Sequence, residues 1–291
     1  MPLIPKGAPI AVVAPCGIVD PDRFEAGLRI LRAAGHDPHP YPHMQRPWRY
    51  LAGDDDHRAA QLVDALTSPR WAAVWIARGG YGLTRILDRV PFHELPRRPV
   101  LGFSDVTVLL GALHAAGAGP AIHAPVVHSL PIHDAASLDH LFALLEGRPT
   151  PALVGTPWVD GDAEGWLCGG NLCLLAATCG TPWQLDARGA VLVLEEIGEA
   201  PYRIDRMLRQ LVEAGVFEGV RGVAVGELVG CRPPEGADWT LRDVVLDHPR
   251  PLGVPVVGDL PIGHGARNHA FPWGARARLG GGRLSWTTDA R

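Results

Sequence analysis

Three kinds of side chain in this sequence could carry acyl-transfer chemistry: a serine at a strand-to-helix transition, histidines at strand ends, and paired carboxylates after an apolar run. In "PVLGFSDVT" the strand formers Val100, Leu101 and Phe103 lead into Ser104, and a helical pattern begins at Asp105. A serine there can cap the helix, because Ser is a preferred N-cap. It can also be a nucleophile raised on a sharp turn, with Gly102 two residues before it. Val106 stands where the G-x-S-x-G pattern has its second glycine, so on spacing alone capping outweighs the nucleophile. A serine nucleophile needs a base, and there are 13 histidines. His36, His39 and His43 sit among prolines and read as a solvated turn rather than as metal ligands. His123 and His128 flank a strand end and could line a cleft. His264 lies at an irregular strand end between Gly263 and Gly265. The carboxylates are Glu195 and Glu196, directly after "AVLVL". Neighbouring side chains on a strand point to opposite faces. Only one of the two glutamates can then serve a given histidine, and the flanking residues, apolar on both faces, do not choose between them.

These residues need elements to hold them. "PIAVV", "AAVWIA", "PVLGF" and "PAIHAP" read as buried strands. Helical patterns stand between them. The first has Asp20 as N-cap, Pro21 at its first position and an apolar stripe of Phe24, Leu28 and Leu31. The second, "DDDHRAAQLVDALTSP", has acids at its positive end. "HDPHPYPHM" is too rich in proline for a helix and reads as a loop. Alternating strands and helices argue a parallel sheet with helices on both faces. Ligands gather at the carboxyl ends of such strands, which brings forward "APCG", "RGGYG" and "GFSD". From 151 to 165 the pattern fades into Pro, Gly and Asp and reads as a linker. It would separate an N-terminal domain, 1–150, from a C-terminal domain, 166–291. The second part holds a strand at 190–196, an amphipathic helix in "YRIDRMLRQLVEAG", and a closing hairpin in "ARARLGGGRLSW".

Composition removes several classes of function. Of the 291 residues, 47% are apolar and 20% charged, which describes a globular chain and not a disordered one. The net charge of −4 comes with both signs mixed and no basic block, so nucleic acid is not an expected partner. No stretch approaches 18 apolar residues and the opening residues do not read as a signal peptide, so neither a membrane span nor export is expected. Five cysteines without a C-x-x-C pair read as reduced thiols in a cytoplasm, with no metal site. "RGGYG" fits neither phosphate fingerprint, and no cofactor is expected.

Taken together, "RGGYG", "GFSDVT", the "HAP" of 123–125, "GWLCGGNL", "LEEIGEAPYRIDRML" and "GHGARNHAFPWGARARL" resemble the LD-carboxypeptidase family of serine peptidases, in the family's order and over nearly the whole chain. The resemblance implies an α/β fold: a parallel-sheet domain of flavodoxin or glutamine-amidotransferase type, then a smaller mixed α/β, partly barrel-like domain. It implies a triad of Ser104, Glu195 and His264, with nucleophile and base on different domains and the site at their interface. The N–H groups of Asp105 and Gly80 would form the oxyanion hole. Gly79, Arg78 and Arg203 would bind substrate, with Arg206 a further candidate for the terminal carboxylate. Cys16 replaces the family's small or hydroxyl residue, and His123-Ala124-Pro125 its "HGP". The activity implied is release of terminal D-alanine from murein tetrapeptide in cytoplasmic wall recycling, by a homodimer. The alternatives are hydrolysis of peptide-nucleotide antibiotics and non-catalytic binding of wall fragments.

Overall fold

The computed structural model describes residues 1–287. The chain divides into two compact units. The first is Met1–Thr150 with His269–Pro272, and the second is Pro151–Asn268 with the chain from Trp273 on.

In the first unit, strands β1 (Pro9–Val13), β2 (Asp37–Pro40), β3 (Ala73–Ile76), β4 (Val100–Gly102) and β5 (Ala121–His123) alternate with helices α1 (Pro21–Ala33), α2 (Asp55–Thr67), α3 (Thr107–Ala115) and α4 (Ala135–Leu145). The five strands pair in parallel in the order β5-β4-β3-β1-β2. The helix starts obey local rules. The Asp20 side chain accepts from Arg23 N–H with Pro21 next in line, and α1 buries Phe24, Leu28 and Leu31. The prolines of 37–40 form a strand and not the expected loop. β2 is an edge, paired with β1 alone, and an edge tolerates residues that cannot donate to a second neighbour.

The second unit opens with β6 (Leu153–Val154), β7 (Thr156–Val159) and β8 (Asp162–Asn171), so residues 151–165 are sheet and not a linker. β6 and β7 are the two edges of the sheet, which again accommodates Pro157. There follow α5 (Leu172–Ala177), β9 (Ala190–Ile197), α6 (Pro201–Glu213), β10 (Gly222–Val229), α7 (Leu241–Leu246) and β11 (Val256–Gly258). A short strand, β12 (Phe271–Pro272), belongs to the first unit, where it pairs antiparallel with β5. The hairpin of β13 (Arg276–Gly280) and β14 (Arg283–Trp286) completes the second. Its order is β6-β14-β13-β8-β9-β10-β11-β7, with β8 to β11 parallel. The sheet is open and not a closed barrel, since no pairing among the described residues joins β6 to β7. Among the described residues no helix is long and apolar enough to cross a membrane.

Candidate active site

Ser104 follows β4 with φ +65°, a left-handed conformation that costs a side-chain-bearing residue about 1–2 kcal/mol. It does not cap. The one-turn 3₁₀ segment Ser104–Val106 and α3 behind it both begin without a side-chain cap bond. The strain therefore has another use, and this geometry matches the strand–turn–helix of a nucleophile elbow. Two glycines make the turn fit. A Cβ on Gly79 would lie 2.9 Å from Ser104 Cβ and 3.1 Å from its Oγ. A Cβ on Gly102 would lie 2.7 Å from Val106 Cγ1, so Val106 packs over the bare backbone of Gly102. Asp105 is fully buried, and its Oδ2 accepts from Leu83 N–H at 3.0 Å. The "RGGYG" loop thus lies against Ser104 at Gly79 and is fastened to Asp105 just past its end, at Leu83, and Gly80 within it has φ +105°.

In the second unit Glu195 and Glu196 end the same strand and diverge as strand geometry requires. Glu195 is fully buried, and its Oε2 lies 2.7 Å from Nδ1 of His264. Glu196 turns to the other face. Its Oε1 accepts from Asn171 Nδ2 at 3.0 Å and Ile197 N–H at 2.8 Å, and its Oε2 from Cys173 N–H at 2.8 Å. That carboxylate fastens β9 to the start of α5, and burial raises its pKa. Burial alone would lower the pKa of His264. The hydrogen bond to Glu195, the Glu195 charge and the Glu196 charge outweigh it and leave His264 above its usual value. Gly263 lets the histidine loop pass close by: with φ +133°, a Cβ there would come within 3.0 Å of Glu195 Oε2. With Nδ1–H given to Glu195, the lone pair of the imidazole is on Nε2, as a general base requires.

The first unit thus holds a strained, uncapped serine and the second a buried carboxylate–imidazole pair. Residues 10–124 match the LD-carboxypeptidase N-terminal domain, and residues 164–279 the LD-carboxypeptidase C-terminal domain. The chain belongs to the LD-carboxypeptidase family. It is a serine-type LD-carboxypeptidase. The murein tetrapeptide carboxypeptidase of Pseudomonas aeruginosa is 37% identical over 295 residues, covering 95% of this chain and 94% of that one. The structure of a muramoyltetrapeptide carboxypeptidase from Oxalobacter formigenes superposes with a TM-score of 0.85 at 30% identity, over 95% of this chain and 97% of that one. The microcin C7 self immunity protein MccF shares the fold, with a TM-score of 0.83 at 17% identity over 97% and 96% of the two chains.

The other residues singled out in this LD-carboxypeptidase have definite surroundings. Arg78 donates through Nη1 to the Ile18 carbonyl. Arg203 is exposed and pairs with Glu199 at 3.2 Å, and Asp205 is engaged by His248. Arg206 lies 5.6 Å from the ring centre of Tyr202. Cys16 is fully buried. Burial, with the nearby Asp105 charge, pushes its thiol pKa far up, so it remains protonated beside that carboxyl. His36 departs from the expected solvated turn: it is buried and stacks on Phe142 at 5.7 Å. His123 does not line a cleft, being fully buried against Phe271 with ring centres 4.5 Å apart. Burial, aided by Arg23 and Arg78, lowers His128 to about 4, so it is neutral at pH 7. Among the described residues no group of three or more His, Cys, Asp or Glu could hold a metal.

One positioning residue escaped sequence reasoning. Arg58, on the buried stripe of α2 with Leu62, Ala65 and Leu66, has no exposed side-chain surface. It donates to the carbonyls of Gly53, Pro15 and Gly82 and pairs with Asp55. It ties together the loops after β1 and β3, the second of which is "RGGYG". The signal was an arginine on an apolar stripe, since a buried guanidinium must find acceptors.

Proposed function

We propose that the protein releases the terminal D-amino acid of murein tetrapeptide by serine catalysis, in cytoplasmic recycling of the cell wall. The observation that carries this reading is the left-handed, uncapped Ser104 at the end of β4, in a chain of this family. Ser104 Oγ attacks the carbonyl of the L,D-amide while His264 Nε2 takes its proton. Glu195 fixes the imidazole through Nδ1 and stabilises it when charged. The N–H groups of Asp105 and Gly80 take up the oxyanion. His264 then protonates the leaving amine, D-alanine departs, and water hydrolyses the acyl-enzyme with His264 again as base. No step calls for a metal or cofactor. Gly79, close against Ser104, binds substrate with its backbone, and Arg78 or Arg203 pairs with the terminal carboxylate. The family resemblance supports a homodimer as the working form.

Likeness of fold to the microcin immunity protein supports a second reading, hydrolysis of a peptide-nucleotide conjugate. Incubating purified protein with murein tetrapeptide and measuring free D-alanine decides between them. Release that disappears in Ser104→Ala is expected. Cleavage of an aminoacyl sulfamoyl adenosine without D-alanine release would replace the first reading by the second. Tight binding of tetrapeptide with no cleavage would make the protein a binder.

A further inference from the structure

Among the described residues ten large apolar side chains are exposed, and three of them lie on loops tied to the loop beside Ser104: Trp48, Tyr50 and Tyr81, at 36%, 60% and 44% exposure, with Tyr50 against Tyr81 and Arg85 reaching both Trp48 and Tyr81. Tyr81 is the fourth residue of "RGGYG", whose Gly79 lies against Ser104 and whose following residue, Leu83, donates its N–H to Asp105. Trp48 and Leu51 close a tight turn through reciprocal backbone bonds of 3.0 Å. Leu51 bridges to Gly17, and Gly17 N–H donates to Gly79 O at 3.1 Å. Two separate loops are therefore fixed to the nucleophile turn and present aromatic rings to solvent. The ring centres of Tyr50 and Tyr81 are 6.0 Å apart. Arg49, at φ +56°, puts its guanidinium 4.4 Å from the Trp48 ring centre and has no ion pair among the described residues. Arg85 is different: Asp55 holds it in place, with contacts to Trp48 and Tyr81. Exposed aromatic rings gathered in one patch mark a contact surface, and the backbone tethers show that this one is built.

We propose that Trp48, Tyr50 and Tyr81 form a shelf for the sugar ring of a muramoyl-peptide substrate, with Arg49 donating hydrogen bonds to its oxygens. The proposal rests on the carboxypeptidase reading for its choice of sugar. Ring geometry favours a pyranose over a nucleobase. A planar base fits between two near-parallel faces, whereas Tyr50 and Tyr81 are tilted by 54° and touch each other, leaving no slot. A pyranose instead lays one face of weakly positive C–H bonds on the negative π face of a ring. Its hydroxyl and acetamido oxygens point outward as acceptors, which suits the fork of Arg49 donors.

Calorimetry tests this in a Ser104→Ala background, where turnover cannot interfere. The probes are free murein tetrapeptide and N-acetylmuramoyl-tetrapeptide. The sugar-bearing probe should bind about 3- to 10-fold more tightly, the range of a stacking contact. Adding Tyr50→Ala should bring the ratio to about one, and Tyr50→Phe should restore it, since the ring and not the hydroxyl is used. Equal affinities in the Ser104→Ala protein, or a ratio that survives Tyr50→Ala, would overturn the shelf. Competition by adenosine monophosphate that depends on Tyr50 would also overturn it, in favour of a base site. Failure of the carboxypeptidase reading shows separately, as the absence of D-alanine release from either compound by the native protein.

Discussion

At Ser104 the constraint sits in the backbone: a φ of +65°, no cap bond, and glycines at 79 and 102 where a Cβ would collide. At His264 it sits in side chains: a 2.7 Å bond to a fully buried glutamate and a pKa held above normal against the effect of burial. A nucleophile must be aimed, and sterics aim an atom without altering its charge. A base must be tuned, and only nearby charge and hydrogen bonds tune a pKa. The two regions should therefore fail differently when altered.

The largest effect belongs to the serine. Ser104→Ala should lower turnover by a factor on the order of 10⁶, as loss of a triad nucleophile does. Ser104→Gly should be equally inactive yet more stable than Ser104→Ala by about 1 kcal/mol in urea unfolding, because glycine accepts the left-handed backbone. Identical midpoints for the two variants would mean that the turn is not sterically strained.

The glutamates come next. Glu195→Gln keeps the shape but removes the charge beside the imidazole, and kcat should drop by roughly 10³ to 10⁴. Glu196→Gln should lose stability, about 1–3 kcal/mol, more than activity, because an amide cannot accept all three bonds from Asn171, Cys173 and Ile197. Kinetics and melting curves on both variants decide the matter, and the opposite pattern would exchange their roles.

The smallest effect is in pH. A protonated imidazole is no base, and the raised pKa of His264 keeps the proton on to higher pH. The acidic limb of kcat/KM should therefore lie above about 6.5, the ordinary histidine value, and fall back toward it in Glu195→Gln. Stability runs the other way. The pair's contribution is complete below about pH 6.5, the unfolded value, and is lost as pH rises through the folded one. A limb in the native protein at or below 6.5 would mean that burial outweighs Glu195.

Much of this was legible in the sequence. Helix α1 needed only Asp20, Pro21 and a stripe of apolar residues, all decided within a few positions of each other. The six motifs in order identified the family, because each is a short run of residues that can be read without knowing what it packs against. Strands β2 and β7 were not legible. Their prolines argue against a strand until one knows that each lies at an edge, and edge position is a property of the whole sheet. Residues 151–165 read as a linker for the same reason. His36 looked solvated because Phe142, which covers it, is remote in sequence.

The sequence by itself determined the type of the elements away from the sheet edges, the family and the short list of residues able to act. Tertiary structure decided among equals on that list. That Ser104 stands left-handed and makes no cap bond is a matter of backbone conformation, in a turn where Gly79 lies against the serine and Val106 packs over Gly102. Glu195 or Glu196 depends on which face of β9 meets the histidine loop, and both faces are apolar in sequence. Side-chain identity is local, whereas burial, strain and charge pairing come from neighbours that the chain brings together only on folding.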